Sequence, residues 1–490
     1  MGTANEEIEL KFLCEPADLD ALLAAAEGLD DSAADLSATY FDTPERRLRE
    51  LGAGLRIRQE PKGRLQTLKA GSGLRRQEDE TTLETDQLDP EHAALRELIG
   101  DDEIARLEPL FTVKVHRRKR ILTRDGAQVE LAVDQGEVRA GRRKSTVCEV
   151  ELELKTGAPG ALFALARELF EVAPLYLSFE TKADQGFALA DGGRSARRHD
   201  QPDLKRGMSA AAAFQAIARS ALAQIAANGL VLRGADSPEA LHQLRVAARR
   251  LRSAMTTFKP LIADDQFEPL KGELKWLAGA CDEARNLDVF IDETYRPAAQ
   301  GAAAIYGLAD LGQALETARG SAHAHARGAV ASTRFRALLL ELYAWIETGA
   351  WLGALEDGGG SAEDFAAKAL SRRRRKLEKK GADLMNLSDE ARHKTRIQAK
   401  KLRYGAEAFR PLLKDKTARR LIKKTKKLQE SLGALNDAVS AEALLTGLAL
   451  EGAALYAAGH LAGELQARRA DHLKAAERAW AALSKTDDAW

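Results

Sequence analysis

The chain has 490 residues, 45% of them hydrophobic, and its 74 Lys and Arg balance 74 Asp and Glu. That length exceeds one hydrophobic core and predicts two domains, while the lack of any run of 18 apolar residues excludes a membrane-spanning helix. Met1–Glu7 lacks the basic and apolar regions of a secretory signal, and Cys14, Cys148 and Cys281 are too widely spaced for a disulfide framework or zinc cluster, so a cytoplasmic setting is expected.

In chain order, Glu7-Ile8-Glu9-Leu10-Lys11 alternates with period two and reads as a strand with Glu7, Glu9 and Lys11 on one face. Cys14 beyond it and Cys148 further on lie near strands and read as small hydrophobes. Leu55-Arg56-Ile57-Arg58 places Arg56 and Arg58 together, and Leu65–Lys69 follows after a turn at Pro61-Lys62-Gly63, a hairpin pattern. Phe111–Arg120 is a further strand with Arg117 and Lys119 on one face, and Val129–Asp134 continues the alternation through Val138. Glu149-Val150-Glu151-Leu152-Glu153 repeats the acidic pattern. Carboxylates at that spacing repel unless a cation lies among them, and oxygen-rich clusters suit a hard ion such as Mg²⁺ or Mn²⁺. An antiparallel sheet closed into a barrel would gather these charged faces into a lumen suited to a metal–polyphosphate complex.

Residues 1–190 hold 26 Lys and Arg against 37 Asp and Glu, a net of −11, and residues 191–490 hold 48 against 37, a net of +11. The border, 191–206, is polar and without periodicity, which predicts a linker between domains at 1–190 and 207–490. The second domain is rich in Ala and Leu at helical spacing, and it repeats. His242–Arg252 matches His393–Arg403 at an offset of 151, which also pairs Phe258 with Phe409, Pro260 with Pro411 and Asn286 with Asp437. A constant register predicts a pseudo-twofold pair of helical bundles. His242, Arg245, Arg249 and Arg252, then His393, Arg396, Lys400 and Arg403, each occupy one helical face, an arrangement that favours an extended anion. Arg372–Lys427 is densest, with 22 Lys and Arg against 6 acids. The bland alternative is a solvated face with i,i+4 pairs such as Arg403–Glu407.

Several of these segments resemble a known superfamily. Glu7-x-Glu9-x-Lys11, Tyr40-Phe41-Asp42-Thr43-Pro44, Leu55–Arg58, Lys69, Asp134–Val138 and Glu149-x-Glu151-x-Glu153 are similar, in order, to the CYTH or triphosphate tunnel metalloenzyme superfamily. The resemblance implies an eight-stranded antiparallel tunnel that cleaves or rearranges triphosphates with a divalent metal. It further implies that Lys182, in Ser178–Ala183, matches the last-strand lysine of such tunnels. The helical half resembles the CHAD domain, a histidine-containing α-helical domain, through both His-led motifs, Lys400–Tyr404, Leu274–Leu277, Arg285–Val289 and Leu428–Asp437. It departs at Cys281-Asp282, where that family commonly has Leu-Gly, and at Asn286, where it has Asp. The CHAD resemblance implies binding of inorganic polyphosphate.

The expected protein is thus α+β in two domains, a tunnel barrel followed by an all-α pseudo-twofold repeat. Its expected activity is metal-dependent hydrolysis of inorganic triphosphate, with Mg²⁺ or Mn²⁺ held by Glu7, Glu9, Glu149, Glu151 and Glu153. Glu7, Glu9, Lys11 and Lys69 are the expected catalytic groups, and Arg56, Arg58, Arg117, Lys119 and Lys182 bind substrate phosphates. No residue stands out as general base. The His-led residues, with His242 and His393 protonated, are expected to bind polyphosphate and to place the protein at polyphosphate granules. The alternatives are a non-catalytic polyphosphate binder, or a tunnel enzyme acting on thiamine triphosphate or nucleoside triphosphates. Aromatics make up only 5% of the chain, which disfavours stacking on nucleic acid. Mutual repulsion of the carboxylates predicts that removing Glu9 or Glu151 raises melting in the absence of metal.

Overall fold

A computed structural model describes residues 5–26, 29–60, 63–70, 75–124, 126–301 and 304–490; side chains 5–7, 29–31, 70 and 75–77 lie outside that description. The chain divides into two compact units, Met1–Arg197 with Leu339–Thr348, and Arg198–Leu338 with Gly349–Trp490.

In the first unit the alternating segments form β1 (Asn5–Leu13), β2 (Leu29–Asp42), β3 (Ala53–Glu60), β4 (Gly63–Ala70), β5 (Arg75–Leu83), β6 (Glu108–Arg124), β7 (Ala127–Ala140), β8 (Arg143–Thr156) and the short β9 (Tyr176–Leu177). Helices α1 (Leu19–Ala25), α2 (Arg47–Glu50), α3 (Ala93–Ile104), α4 (Gly160–Val172) and α5 (Lys182–Ala190) are interspersed. The strands run β5-β4-β3-β2-β6-β7-β8-β1, all antiparallel. β1 then pairs again through Asn5–Ile8 with Arg75–Glu78 of β5, bringing the two ends of the sheet together in a ring of eight. The expected hairpin forms from β3 and β4, with Arg58 opposite Leu65, while Pro61 and Lys62 of its expected turn lie outside the described residues.

Each strand separates its residues by parity. Leu10 and Phe12 of β1 and Val150 and Leu152 of β8 are buried on the outer face, where Phe12 meets Phe170 of α4 edge-on at 5.6 Å. Leu55 and Leu68 of β3 and β4 pack outward with Leu48 of α2 and Leu95 and Ile104 of α3. The charged residues consequently face inward. At one end of the lumen the same inner faces turn apolar: Tyr40, Phe111, Val113, Val115, Val138 and Val147 form a cluster closed by Phe187 of α5. Helix α5 therefore fills that end. A Cβ at its Gly186 would lie 2.0 Å from the Phe111 ring, so only glycine permits the approach. Gly136 has a similar reason, since a Cβ there would lie 2.0 Å from the Lys114 carbonyl oxygen on the neighbouring strand.

The second unit is helical, as its periodicity predicts. It contains α6 (Ala210–Gly234), α7 (Pro238–Ile262), α8 (Phe267–Ala280), α9 (Asp282–Phe290), α10 (Arg296–Gln300), α11 (Leu308–Ala331), part of α12 (Thr333–Thr348), α13 (Ala362–Gly381), α14 (Asp389–Ala408), α15 (Asp415–Gly447), α16 (Gly452–Ala467) and α17 (Arg469–Ser484). The two His-led motifs lie on α7 and α14. Both helices begin at serines related by the 151-residue offset: Ser237 accepts from the Ala240 N–H at 3.2 Å and Ser388 from the Ala391 N–H at 3.3 Å. The repeat-related Phe258 and Phe409 meet at 5.6 Å, and Phe365 stacks on Phe258 at 4.5 Å, so one aromatic core joins both copies.

Candidate functional site

The tunnel lumen holds a buried ionic network. β1 supplies Lys11, β6 Arg117, β7 Asp134, β8 Glu149 and Glu151, and the first residue of α5 is Lys182. Lys11 Nζ lies 2.8 Å from Glu151 and 3.4 Å from Glu149. Lys182 Nζ lies 2.7 Å from Asp134, 2.9 Å from Glu149 and 3.0 Å from Glu151. Arg117 grips Asp134 with two hydrogen bonds of 2.6 Å and also donates to Glu151. Gln185 of α5 donates to Glu149. Three carboxylates thus face three cations, with Asp134 and Glu149 fully buried.

Mutual neutralisation decides the charge states. Burial opposes charge on Lys182, but Asp134, Glu149 and Glu151 overcome it and hold the ammonium well above the ordinary lysine range. The same opposition raises Lys11 through Glu149 and Glu151, with Glu9 on its strand face adding to the effect. Against its own burial, Glu151 is held well below the usual carboxylate range by Lys11, Lys182 and Arg117. This overturns the expectation that removing Glu151 relieves repulsion. Its removal would strip a shared partner from two buried cations, Lys11 and Lys182, and from the partly buried Arg117.

Lys182 is held by a cap. Thr181 Oγ1 accepts from the Asp184 N–H at 3.0 Å while the Asp184 carboxylate accepts from the Thr181 N–H at 2.8 Å, fixing the start of α5. The family resemblance implies a last-strand position for this lysine; it heads a helix instead, because the strand ends at Leu177.

Further along the lumen, Glu78 joins Arg56 at 3.3 Å and Lys69 at 2.9 Å. Arg58 pairs with Glu60 at 2.6 Å and Glu80 at 3.3 Å, and burial together with Arg56 lowers its pKa from the ordinary arginine value. Lys119 meets Glu130 at 2.8 Å, and Glu153 meets Lys155 at 2.7 Å. Of the expected metal ligands, Glu149 and Glu151 converge, Glu9 lies beside them on β1, Glu153 is drawn towards Lys155, and the Glu7 side chain lies outside the described residues. The converging set includes Asp134, which belongs to a family-like motif of the sequence but has no role expected of it there. Its signal is parity, since Glu130 and Asp134 share the inward face of β7 with only Ala132 between them. Ligand oxygens of Asp134, Glu149 and Glu151 lie within 4.8 Å of one another, a hard-donor set suited to a divalent ion. Asp42, by contrast, is structural: its carboxylate accepts from the N–H groups of Thr43 and Leu48 at 2.8 Å and Arg49 at 3.1 Å.

In the helical unit, the repeat brings related cations face to face. Arg249 of α7 lies beside Arg396 and Lys400 of α14, with Tyr404 under the Arg249 and Arg403 guanidiniums at 5.7 and 4.8 Å. Among the described residues Arg249, Arg252, Arg396 and Lys400 form no ion pair. Burial, reinforced by Arg396, Arg249 and Arg403, pulls Lys400 down to about 7 despite Asp437. Arg403 is paired with Glu407 at 3.2 Å, the i,i+4 contact expected from spacing. Arg245 turns away, donating to the Ala278 carbonyl at 2.9 Å and to Asp282. His393 Nδ1 lies 2.7 Å from Asn436 Oδ1. His242 is pushed below the ordinary histidine value by burial and Arg285, which opposes the protonated form expected of it.

Comparison with known proteins agrees with this division. Residues 5–187 match the CYTH domain and residues 216–446 the CHAD domain. The chain therefore carries a CYTH domain followed by a CHAD domain. The inorganic triphosphatase of Haemophilus influenzae is 31% identical over 193 residues, covering 38% of this chain and 55% of that protein, so the match spans about half the relative's length. The crystal structure of the CHAD domain from Ricinus communis covers 61% of this chain and 99% of its own, with 29% identity and a TM-score of 0.55. A putative adenylyl cyclase from Hippeastrum, described as having a dominant triphosphatase activity, covers 38% of this chain and 96% of its own at 19% identity and a TM-score of 0.30.

Proposed function

We propose that the tunnel hydrolyses inorganic triphosphate to diphosphate and phosphate with the help of Mg²⁺ or Mn²⁺, and that the helical unit binds inorganic polyphosphate. The observation that carries the first part is the buried network of Lys11, Arg117 and Lys182 on Asp134, Glu149 and Glu151. The Haemophilus relative, an inorganic triphosphatase, supports the substrate class.

In this reading substrate binding is an exchange of partners. Phosphate oxygens would draw Lys11, Arg56, Arg58, Lys69, Arg117, Lys119 and Lys182 away from their carboxylates, and the freed oxygens of Asp134, Glu149 and Glu151, with Glu7, Glu9 and Glu153 as the further acids of the same strands, would hold the metal. Such an ion would polarise the phosphoanhydride and neutralise charge developing on the bridging oxygen. The protein's own contribution is preorganisation. Its cations are charged, buried and fixed before substrate arrives, so little reorganisation opposes the reaction. The inner end is closed by α5, which sets Lys182 at the floor of the lumen.

Phosphate release should be measured from tripolyphosphate, ATP and thiamine triphosphate with Mg²⁺, Mn²⁺ or chelator. Preference for ATP or thiamine triphosphate would move the assignment to a tunnel enzyme for those substrates. Absence of hydrolysis for all three would leave a polyphosphate binder. For the helical unit, the support is Arg249, Arg396 and Lys400, crowded together, with no ion pair to any of them among the described residues. The comparison of long polyphosphate with duplex DNA and RNA of matched charge at physiological salt tests this part, and equal affinity for all three would reduce it to generic anion binding.

A further inference from the structure

Two buried nucleophiles stand just outside the lumen and take no part in the chemistry above. Cys14 follows β1 and Cys148 lies on β8, one residue before Glu149. The β1–β8 register, in which Leu13 faces Glu149, puts Cys14 directly opposite Cys148, and the Cys14 N–H donates to the Cys148 carbonyl at 3.3 Å. Directly opposed residues of a hydrogen-bonded antiparallel pair have Cα atoms about 5.5 Å apart, inside the range of about 4.4–6.8 Å that a disulfide spans. The two sulfurs are 3.4 Å apart, so both side chains already point at each other. They are 8% and 7% exposed, enough for a small oxidant but not for a bulky one.

We propose that Cys14 and Cys148 are a redox modification site, closing to a reversible intramolecular disulfide that moves Glu149 relative to Lys11. With hydrogen peroxide as oxidant, the Cys148 thiolate attacks one peroxide oxygen and expels hydroxide, giving a sulfenic acid. The Cys14 thiol then displaces that hydroxyl as water and the sulfur–sulfur bond forms, so two thiols and one peroxide yield one disulfide and two waters. The 3.4 Å separation of the sulfurs places Cys14 to resolve a sulfenic acid on Cys148. Closing the sulfurs to about 2.05 Å draws the two strands together at the residue next to Glu149. Cys281 is an internal control: it is fully buried and burial pushes its thiol up to about 11.

The full chain should be exposed to hydrogen peroxide under native conditions, then read by intact mass, titration of free thiols and peptide mapping. The expected result is loss of two hydrogens and two of the three thiols, a cross-link mapped to Cys14–Cys148, and recovery with dithiothreitol. Cys14→Ser and Cys148→Ala should each abolish the cross-link, and either variant suffices if the other folds poorly. Because the consequence for turnover rests on the tunnel being a triphosphatase, hydrolysis is read separately. It should fall roughly tenfold in the oxidised parent, since a small displacement of a positioned group costs that much or more. The Cys14→Ser variant should keep its activity after the same peroxide treatment. Three free thiols after peroxide, or a cross-link involving Cys281, would overturn the site. A mapped Cys14–Cys148 cross-link with unchanged hydrolysis would overturn its coupling to Glu149, whereas a parent that hydrolyses no triphosphate would sink the tunnel reading and leave the thiol result standing.

Discussion

The two units gather cations in opposite ways. In the tunnel Lys11, Arg117 and Lys182 are buried against Asp134, Glu149 and Glu151, and their partners raise all three pKa values. On the helical face Arg249, Arg396 and Lys400 crowd together, with Asp437 only partly offsetting their charge, and Lys400 falls to about 7. A neutralised network is stable without ligand and admits only a ligand that can replace its internal partners. A crowded cationic face is strained by its own charge and is relieved by any anion long enough to reach both helices. Selectivity is therefore expected of the first unit, and strong salt dependence of the second.

The sharpest way to break this contrast is to unbalance the tunnel. Lys182→Met leaves the buried Asp134 and Glu149 short of a partner and should destabilise the first unit by about 3–5 kcal/mol. Glu151→Gln should also lower the melting temperature and should reduce turnover about a hundredfold or more. A melting temperature at or above the parent's for both variants would mean that the network is not mutually neutralising.

A second test acts on the helical face. Arg249→Glu and Lys400→Glu should each lower polyphosphate affinity and reduce the log–log salt slope by about one for each phosphate no longer neutralised. Tripolyphosphate hydrolysis should be unchanged in both. Equal effects on hydrolysis would show that the short substrate also needs the helical unit.

Proton linkage separates the units in a third way. Glu151, lowered in the fold, contributes stability that is fully present above about pH 4.3 and is lost as pH falls from there through its lowered value; Lys182, raised in the fold, contributes fully below about pH 10.4 and loses this as pH rises from there through its raised value. Between about pH 5 and 10 this contribution of the tunnel is flat. Lys400 is lowered from about 10.4 to about 7, so its ammonium form is disfavoured by folding and the penalty shrinks as pH rises across that window. If the helical unit binds polyphosphate as proposed, the anion would restore the proton, so affinity should be higher near about pH 6 than near about pH 8.5, and Lys400→Arg should flatten the dependence. Calorimetric titrations at the two pH values decide it. The smallest effect is at the cap. Thr181→Ala should cost about 1 kcal/mol by freeing the start of α5, with hydrolysis reduced more than binding because Lys182 loses its fixed position.

Much of this arrangement is legible in the sequence because it follows from period. Alternation places Lys11, Arg56, Arg58, Arg117, Lys119, Glu149 and Glu151 on inward faces, and the 151-residue offset locates both His-led helices. What escapes depends on contacts between distant segments. Asp134 gains its importance from Arg117 and Lys182, one on the next strand and one on a helix 48 residues later. Carboxylate repulsion has the wrong sign for Glu151, because the cations that neutralise it come from β1, β6 and α5. Cys14 and Cys148 look like isolated small hydrophobes until the register sets them opposite each other. His242 is lowered by burial first and then by Arg285, 43 positions further on, and neither cause is visible in its own helix.

The central claim is that the tunnel's balanced network is built for a metal–triphosphate complex. The most direct measurement is steady-state phosphate release from tripolyphosphate by the full chain, with Mg²⁺, with Mn²⁺ and after complete chelation, alongside Glu151→Gln. The account predicts turnover with at least one of the two ions, none after chelation, and loss of about a hundredfold or more in the variant. Hydrolysis that survives full chelation, or a Glu151→Gln protein that turns over like the parent, would contradict it.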